Sequence, residues 1–200
     1  LFTDEAYVKA NVDEARLMRR LFDLACNMQS HDTDMQLYSL FTDEECYDLW
    51  SCNNLYWYLT HACSPVTDGL MPYREADLLR NILDRADAAL KEGKNQATLR
   101  FGHESCLLPL VALLELNHYG KSYPDVEKLS EQWRAYDIFP MASNVQFVFF
   151  HKKGSNDVLV KVLLNEKEAK LPVKTDVAPY YHWKDVESYY REKLDKYQHI

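Results

Sequence analysis

The part of this chain that most constrains its fold lies at residues 98–110, where a short strand-like segment leads into a His-Glu pair and then an apolar run. Residues 98–103 have the pattern of a short buried strand, and the apolar residues 106–110 indicate a helix after it. In open α/β sheets, ligands bind beyond the carboxyl ends of the strands. A helix N-terminus also offers unpaired N–H groups and a positive dipole end to an anion. The sequence therefore predicts an α/β fold with a phosphate site at this junction.

Three residues at the junction suit phosphate chemistry. Gly102 lets the backbone pass close to a ligand, His103 can donate to a phosphate oxygen, and Glu104 can carry a proton to a leaving oxygen. The ordinary interpretation is a hydrogen-bonded histidine at a strand end and a glutamate that only complements the helix dipole. The spacing alone favours this ordinary interpretation.

The segment Leu99-Arg100-Phe101-Gly102-His103-Glu104 resembles the proton-donor motif of the histidine acid phosphatases, branch 2 of the histidine phosphatase superfamily. The resemblance is strongest to their bacterial phytase-like and multiple inositol polyphosphate phosphatase members. It covers about residues 60–200 and includes residues 64–69, the runs near 145–150 and 157–164, and the tail 179–183.

The resemblance implies a phosphomonoesterase that works through a phosphohistidine intermediate and needs neither a metal nor an organic cofactor. In that scheme His103 binds the transferring phosphoryl group, Ser105 also contacts the substrate, and Glu104 protonates the leaving alkoxide and later activates water. Inositol phosphates are the favoured substrates, and sugar phosphates come next. The implied fold is the C-terminal part of a mixed sheet with flanking helices, preceded by helical cap elements, in a periplasmic or secreted enzyme.

Two features depart from the family pattern. The usual donor motif is His-Asp, or His-Ala-Glu in the inositol polyphosphate branch, whereas this chain has His103-Glu104-Ser105. The family's nucleophile is the histidine of an Arg-His-Gly-x-Arg motif, and no histidine here follows an arginine, the seven being His31, His61, His103, His118, His151, His182 and His199. We therefore expect the C-terminal part of a larger enzyme, inactive without the N-terminal half that holds the nucleophile. The alternative is a non-catalytic phosphate-binding or interaction domain derived from a phosphatase.

The charge of the chain limits its partners. A net charge of −8 and a pI near 5.4 argue against nucleic acid and acidic membrane surfaces, which need concentrated Lys and Arg. The only cation near His103 in sequence is Arg100, and strand alternation predicts that it points to the opposite side. No apolar run approaches about eighteen residues, so no membrane-spanning helix is predicted.

The five cysteines show no CxxC pair and are odd in number, which favours neither a zinc site nor a full disulfide framework. Four of them lie before residue 64, which leaves room for one or two disulfides if the protein is exported: Cys26, Cys46, Cys52 and Cys63. Cys106 is expected to be buried, because Leu107 and Leu108 follow it.

Periodicity predicts the main helices and strands. Helices are expected at about 3–28, 42–61, 71–90, 104–117 and 183–197, with a capping box at the start of the second and Gly93 after the third. Residues 145–150 and 158–164 indicate a β-hairpin buried on both faces. The predicted domains are a helical cap segment, 1–63, and the C-terminal part of the α/β phosphatase domain, 64–200.

Three further patterns have a functional and an ordinary interpretation, and the ordinary one is favoured in each case. The His31-Asp32-Thr33-Asp34 segment copies a His-Asp motif but lacks a preceding strand, so a polar loop is expected. The aromatic residues of 47–58 are expected to pack between helices rather than stack on a ligand. The pair Lys152-Lys153 is expected to form a solvated turn.

Overall fold

The computed structural model describes residues 3–94 and 96–197. Eight α-helices lie in this part of the chain: α1 (Glu5–Asn11), α2 (Glu14–Asn27), α3 (Asp43–His61), α4 (Ala76–Glu92), α5 (Glu104–Leu113), α6 (Leu129–Gln132), α7 (Ala135–Ile138) and α8 (Trp183–Tyr197). The strands of the same residues are β1 (Val145–His151), β2 (Val158–Leu164), β3 (Lys167–Glu168) and β4 (Tyr181–His182). This mixture confirms the predicted α/β class.

The chain divides into two compact units, Leu1–Asn54 and Leu55–Ile200. The division falls within α3, upstream of the boundary predicted after residue 63. The assignment of residues 1–63 to a helical cap stays a prediction. Within the described ranges, no helix combines the length and the apolarity needed to cross a bilayer.

In the first unit, the single helix predicted over 3–28 is two helices. Asp4 caps α1 by accepting from the Tyr7 N–H at 3.0 Å, and Asp13 caps α2 by accepting from the Arg16 N–H at 3.0 Å. Because Val12 between them is extended, a second N-cap begins a new helix there.

Helix α3 begins at the predicted capping box. The Thr42 N–H donates to Glu45 Oε2 at 2.8 Å, and the Glu45 N–H donates to Thr42 Oγ1 at 3.2 Å. This reciprocal pair satisfies two N–H groups that the helix leaves unpaired. The helix runs to His61, as predicted.

The second unit is built around α5, whose residues 108–113 are all buried. Helix α8 packs its stripe of Trp183, Val186, Tyr190 and Leu194 into the same core. Helix α4 buries Leu79 and Leu83 and ends, as predicted, at Gly93, which has a φ of 64°.

Helix α5 is shorter than the predicted range of 104–117. Glu115, Asn117 and His118 have φ values of 54°, 50° and 72°, which lie in the left-handed region and cannot continue an α-helix. The Asn117 side chain instead accepts from the Lys170 N–H at 2.8 Å.

The predicted hairpin is confirmed as an antiparallel pair in which Val145 lies opposite Leu164 and His151 opposite Val158. Strand β2 is central, since β3 and β4 both pair with it. Its residues alternate, with Val160, Val162 and Leu164 buried, so the expectation of burial on both faces is wrong. In the described sheet, β1 pairs only with β2 and has one open edge.

The strand predicted at 98–103 is not formed. Residues 96–103 are irregular, Leu99 is 75% exposed and Phe101 is 94% exposed. A strand needs a partner for its N–H and C=O groups, and no strand among the described residues pairs with this segment. The sequence pattern is that of a strand, but no described strand supplies the hydrogen bonds that would form one.

Candidate active site

His103 and Glu104 lie at the N-terminus of α5. His103 is the N-cap residue: its backbone is extended, and its carbonyl accepts from the N–H groups of Cys106 and Leu107 at 3.0 and 3.1 Å. The His103 side chain makes no capping bond with the described residues. Glu104 is the first helical residue, and both side chains are exposed. The imidazole and the carboxylate are therefore presented together beside the positive end of the helix dipole.

Both residues line one open groove of about 2580 Å³. Its walls are one face of α4, residues 97–104, residues 139–144 and strand β1 with the hairpin turn after it. Small-molecule sites usually enclose about 300–1,000 Å³. The groove is thus larger than one phosphorylated small molecule would fill. Ser105, the third predicted site residue, is half-buried and lies outside the groove lining.

Four cations also line the groove: Arg85, Lys94, Arg100 and Lys152. The Arg100 guanidinium donates to Asn81 Oδ1 on α4 at 2.8 Å. Because no strand forms here, the alternation that predicted Arg100 on the opposite side from His103 does not apply. The same lining also holds the carboxylates of Glu75, Glu104 and Asp157, so the groove carries charges of both signs.

A buried histidine packs against Trp57, one of the residues that line the groove. His61, the last residue of α3, is 7% exposed, and its ring packs on Trp57 with the centroids 4.7 Å apart. Its Nδ1 is 2.7 Å from Thr60 Oγ1. Burial, and then the nearby charge of Arg74, lower the pKa of His61, while the carboxylate of Glu104 raises it. His61 is therefore subject to opposing charges from Arg74 and Glu104 in addition to its burial.

Sequence reasoning missed His61 and Arg74. Each is distant from His103 in the chain, and neither belongs to a recognisable motif. The one available signal was weak: a histidine at the end of a helix dense in aromatic residues.

Glu75 and Cys106 complete this side of the groove. Burial raises the pKa of Glu75, and the Arg74 charge and a hydrogen bond with Cys106 act in the opposite direction. Cys106 is exposed, so the expectation that it is buried is wrong. It lies in the first turn of α5, and the buried residues of that helix begin only at Leu108.

The other sequence candidates lie elsewhere. His31 is exposed in an irregular loop, as expected, and Lys153 is exposed in the hairpin turn. In the second unit, Tyr58 is fully buried and its hydroxyl accepts from the Tyr123 N–H at 2.7 Å, which makes it a packing residue. His199 lies outside the described residues. No cluster of three or more potential metal ligands occurs within residues 3–94 and 96–197, and all five cysteines are free.

Comparison with known proteins finds one sequence relative and several solved structures that resemble this chain. The human multiple inositol polyphosphate phosphatase 1 is 28% identical over 137 residues, which are 60% of this chain and 27% of the human protein. The structure of the Bifidobacterium longum multiple inositol polyphosphate phosphatase with phosphate superposes with a TM-score of 0.73 at 22% identity. That match covers 88% of this chain and 40% of the bacterial protein.

Two further structures of the B. longum protein superpose on this chain with similar TM-scores. The match to the apo form has a TM-score of 0.70 at 23% identity and covers 85% of this chain and 38% of the bacterial protein. The match to the complex with inositol hexasulfate has a TM-score of 0.69 at 22% identity and covers 86% of this chain and 37% of the bacterial protein. The chain thus spans about a quarter of the curated relative and about two fifths of the solved ones.

The sequence model of the histidine phosphatase superfamily (branch 2) matches residues 4–165, which is most of the chain. The match includes α5 and its His103-Glu104 N-terminus, as well as the β1–β2 hairpin. The resemblance inferred from the donor motif is thereby confirmed, and this chain belongs to branch 2 of the histidine phosphatase superfamily.

Proposed function

We propose that this chain carries the proton-donor part of a phosphomonoester hydrolase, with inositol phosphates as the favoured substrates and sugar phosphates next. The observation that carries the proposal is the position of His103 and Glu104, side by side at a helix N-terminus on the wall of an open groove. The relatives named for inositol polyphosphates, and the one solved with phosphate, support this substrate class.

The reaction has two steps. A histidine from an Arg-His-Gly-x-Arg segment outside this chain attacks phosphorus, and the P–O bond to the leaving group breaks as Glu104 gives that oxygen a proton. In the second step the Glu104 carboxylate takes a proton from water, which attacks phosphohistidine and releases phosphate. His103 donates to an oxygen of the transferring group in both steps. No metal or organic cofactor takes part, so a chelator is expected to leave the rate unchanged.

The proposal includes a missing N-terminal half that packs into the groove. Three observations support it: the groove exceeds the size of a single ligand, Phe101 on its wall is 94% exposed, and β1 has an open edge in the described sheet. We expect residues 98–103 to become a strand when this half is present. Slower amide hydrogen exchange at 98–103 in the longer protein would support this, and unchanged exchange would contradict it.

The function is tested with two forms of the protein, this chain alone and a longer form that contains the nucleophile segment. The longer form is expected to hydrolyse an aryl phosphate and inositol hexakisphosphate, and Glu104→Gln is expected to lower its kcat by about 10²–10⁴. Glu127→Gln, at an exposed site away from the groove, is the matched control. Turnover by this chain alone would contradict the assignment of the nucleophile to another segment.

A second candidate is a non-catalytic phosphate-binding or interaction domain derived from a phosphatase. The observation that favours it is the departure of His103-Glu104-Ser105 from the family's donor motifs. Binding of inositol hexakisphosphate without turnover by the longer form would establish this second function. A periplasmic or secreted location is part of the first proposal, and cell fractionation tests it.

A further inference from the structure

Residues 139–144 form one wall of the groove, and the proposed reaction gives them no role. They connect α7 to β1, and all six line the groove. Pro140 and Ser143 close a turn, since the Ser143 N–H donates to the Pro140 carbonyl at 3.0 Å. Within this turn Met141 is 93% exposed. The 139–144 wall therefore presents an apolar side chain at the groove surface.

One side chain, that of Asn165, holds both ends of the 139–144 wall. Its Oδ1 accepts from the Asn144 N–H at 3.1 Å, and its Nδ2 donates to the Ile138 carbonyl at 3.1 Å. Because a backbone N–H can only donate and a carbonyl can only accept, these two partners fix the orientation of the amide. The Asn165 N–H also donates to the Asn144 carbonyl at 2.9 Å. Asn165 thus bridges the residue before the wall and the last residue of the wall.

The placement of Asn165 depends on its left-handed backbone. Asn165 and Glu166 have φ values of 51° and 60° and form the two-residue connection between β2 and β3. A type I′ hairpin turn needs a positive φ at both positions, and asparagine is one of the few residues that adopt it readily. The Glu166 carboxylate accepts from Asn144 Nδ2 at 2.9 Å. Both residues of the turn therefore hold the wall through their side chains.

The chemistry of the wall suits contact with a substrate rather than proton transfer. None of its residues is an acid or a base at neutral pH: Phe139, Pro140, Met141, Ala142, Ser143 and Asn144. Ala142 has a φ of 60°, which is unfavourable for a residue with a Cβ, and its carbonyl accepts from Asn144 Nδ2 at 3.2 Å. The wall is thus held in one conformation by the hydrogen bonds around it. A fixed apolar surface of this kind packs well against the C–H groups of a carbon ring.

We propose that the 139–144 wall contacts the carbon ring of the substrate, and that Asn165 is the positioning residue that holds the wall in place. The wall then favours cyclic over acyclic phosphomonoesters. This inference rests on the proposed function and adds a determinant of specificity to it. Met141 supplies the apolar contact, and Asn165 acts through the backbone of Ile138 and Asn144. Loss of such a contact weakens the binding of substrate and transition state equally, which raises KM and leaves kcat unchanged.

The positioning role is tested by amide hydrogen exchange in this chain, which does not depend on activity. Asn165→Gly removes the side chain and retains the left-handed backbone. It is expected to speed exchange at the Asn144 amide about tenfold, the effect of one lost hydrogen bond. Asn165→Asp retains the acceptor and is expected to stay close to the wild type at that amide. Asn156→Ala, in the turn between β1 and β2, is the control, and unchanged exchange in Asn165→Gly would overturn the positioning role.

The specificity role is tested in the longer form with inositol 1-phosphate and glycerol 3-phosphate, which carry one phosphate each and differ in the carbon ring. Asn165→Gly and Met141→Ser are each expected to raise the KM for inositol 1-phosphate about tenfold. The kcat values and the KM for glycerol 3-phosphate are expected to stay at the wild-type level, and Glu127→Gln is the control. A lower kcat at unchanged KM, an equal rise of KM for both substrates, or no change for either would overturn this role.

The two proposals can fail separately. A longer form without turnover that binds inositol hexakisphosphate, with a Kd that Asn165→Gly raises about tenfold, would contradict the hydrolase and retain the role of the wall. An active longer form in which Asn165→Gly, folded by its thermal transition, has the wild-type KM for both substrates would contradict the role of the wall and retain the hydrolase.

Discussion

His182 and Asp157 form a close pair at the end of the sheet, with Nδ1 of the imidazole 3.0 Å from a carboxylate oxygen. The other ring nitrogen, Nε2, is 3.0 Å from Asp176. An imidazole donates from both nitrogens only when it is protonated. The two carboxylates therefore raise the pKa of His182, and His182 lowers the pKa of Asp176. The trio links the loop before β4 to the start of β2.

This trio predicts a window of pH in which it stabilises the fold. The His182 contribution is present below about pH 6.5, its unfolded value, and is lost as the pH rises through the higher folded value. The Asp176 contribution is present above about pH 3.9 and is lost as the pH falls through its lower folded value. We expect His182→Gln to lower Tm most between these limits and least in alkaline buffer. Equal losses of Tm at pH 5 and pH 9 would contradict this, and His31→Gln serves as the control.

Gly120 and Gly102 form a matched pair for a test of packing. A Cβ at Gly120 would lie 2.6 Å from the Glu115 Cγ and 2.8 Å from the Ala112 carbonyl oxygen, whereas one at Gly102 would meet no atom within 4 Å. Gly120→Ala is expected to lower the free energy of unfolding by about 1–3 kcal/mol. Gly102→Ala is expected to leave it unchanged in urea titrations. Equal midpoints for the two variants would show that the turn after α5 adjusts freely.

Tyr190 tests a buried hydrogen bond of the core. Its hydroxyl is fully buried and donates to the Leu114 carbonyl at 2.8 Å, where α5 ends. Tyr190→Phe leaves that carbonyl without its donor, with an expected loss of about 1–3 kcal/mol in the free energy of unfolding. Tyr56→Phe, at a side chain that is more than half exposed, is expected to have no effect. Chemical denaturation of the two variants provides the measurement.

The capping box of α3 is tested by Thr42→Ala. The substitution removes the oxygen that accepts from the Glu45 N–H, and a lost N-cap typically destabilises a helix by about 1 kcal/mol. Faster amide exchange in the first turn of α3 is the expected result. Thr98→Ala, in an irregular exposed segment, is the matched control, and identical exchange in both variants would contradict the capping role.

The elements predicted correctly are those whose cause lies within a few residues. The capping box at Thr42, the stop at Gly93 and the apolar stripe of α8 are all local patterns, and each is found as predicted. The segment 98–103 shows the limit of such reasoning, because a strand pattern orders only when another strand supplies its hydrogen bonds.

The same limit applies to the candidate site. His103 and Glu104 were recognisable because they are adjacent in the sequence. His61 and Arg74 were not, because they are distant in the sequence from each other and from Glu104, and only the folded chain brings the charges of Arg74 and Glu104 to act on His61. Whether the three predicted residues act on a substrate stays a prediction, and Ser105 lies outside the groove lining.

The open edge of β1 has a practical consequence for anyone who prepares this chain by itself. A strand with one unpaired edge, which also carries the 43% exposed Phe150, is a template to which another polypeptide can form backbone hydrogen bonds. Concentrated samples should therefore self-associate through edge-to-edge pairing. Light scattering would detect the oligomers, and a proline or lysine substituted into β1 at its open edge would suppress them.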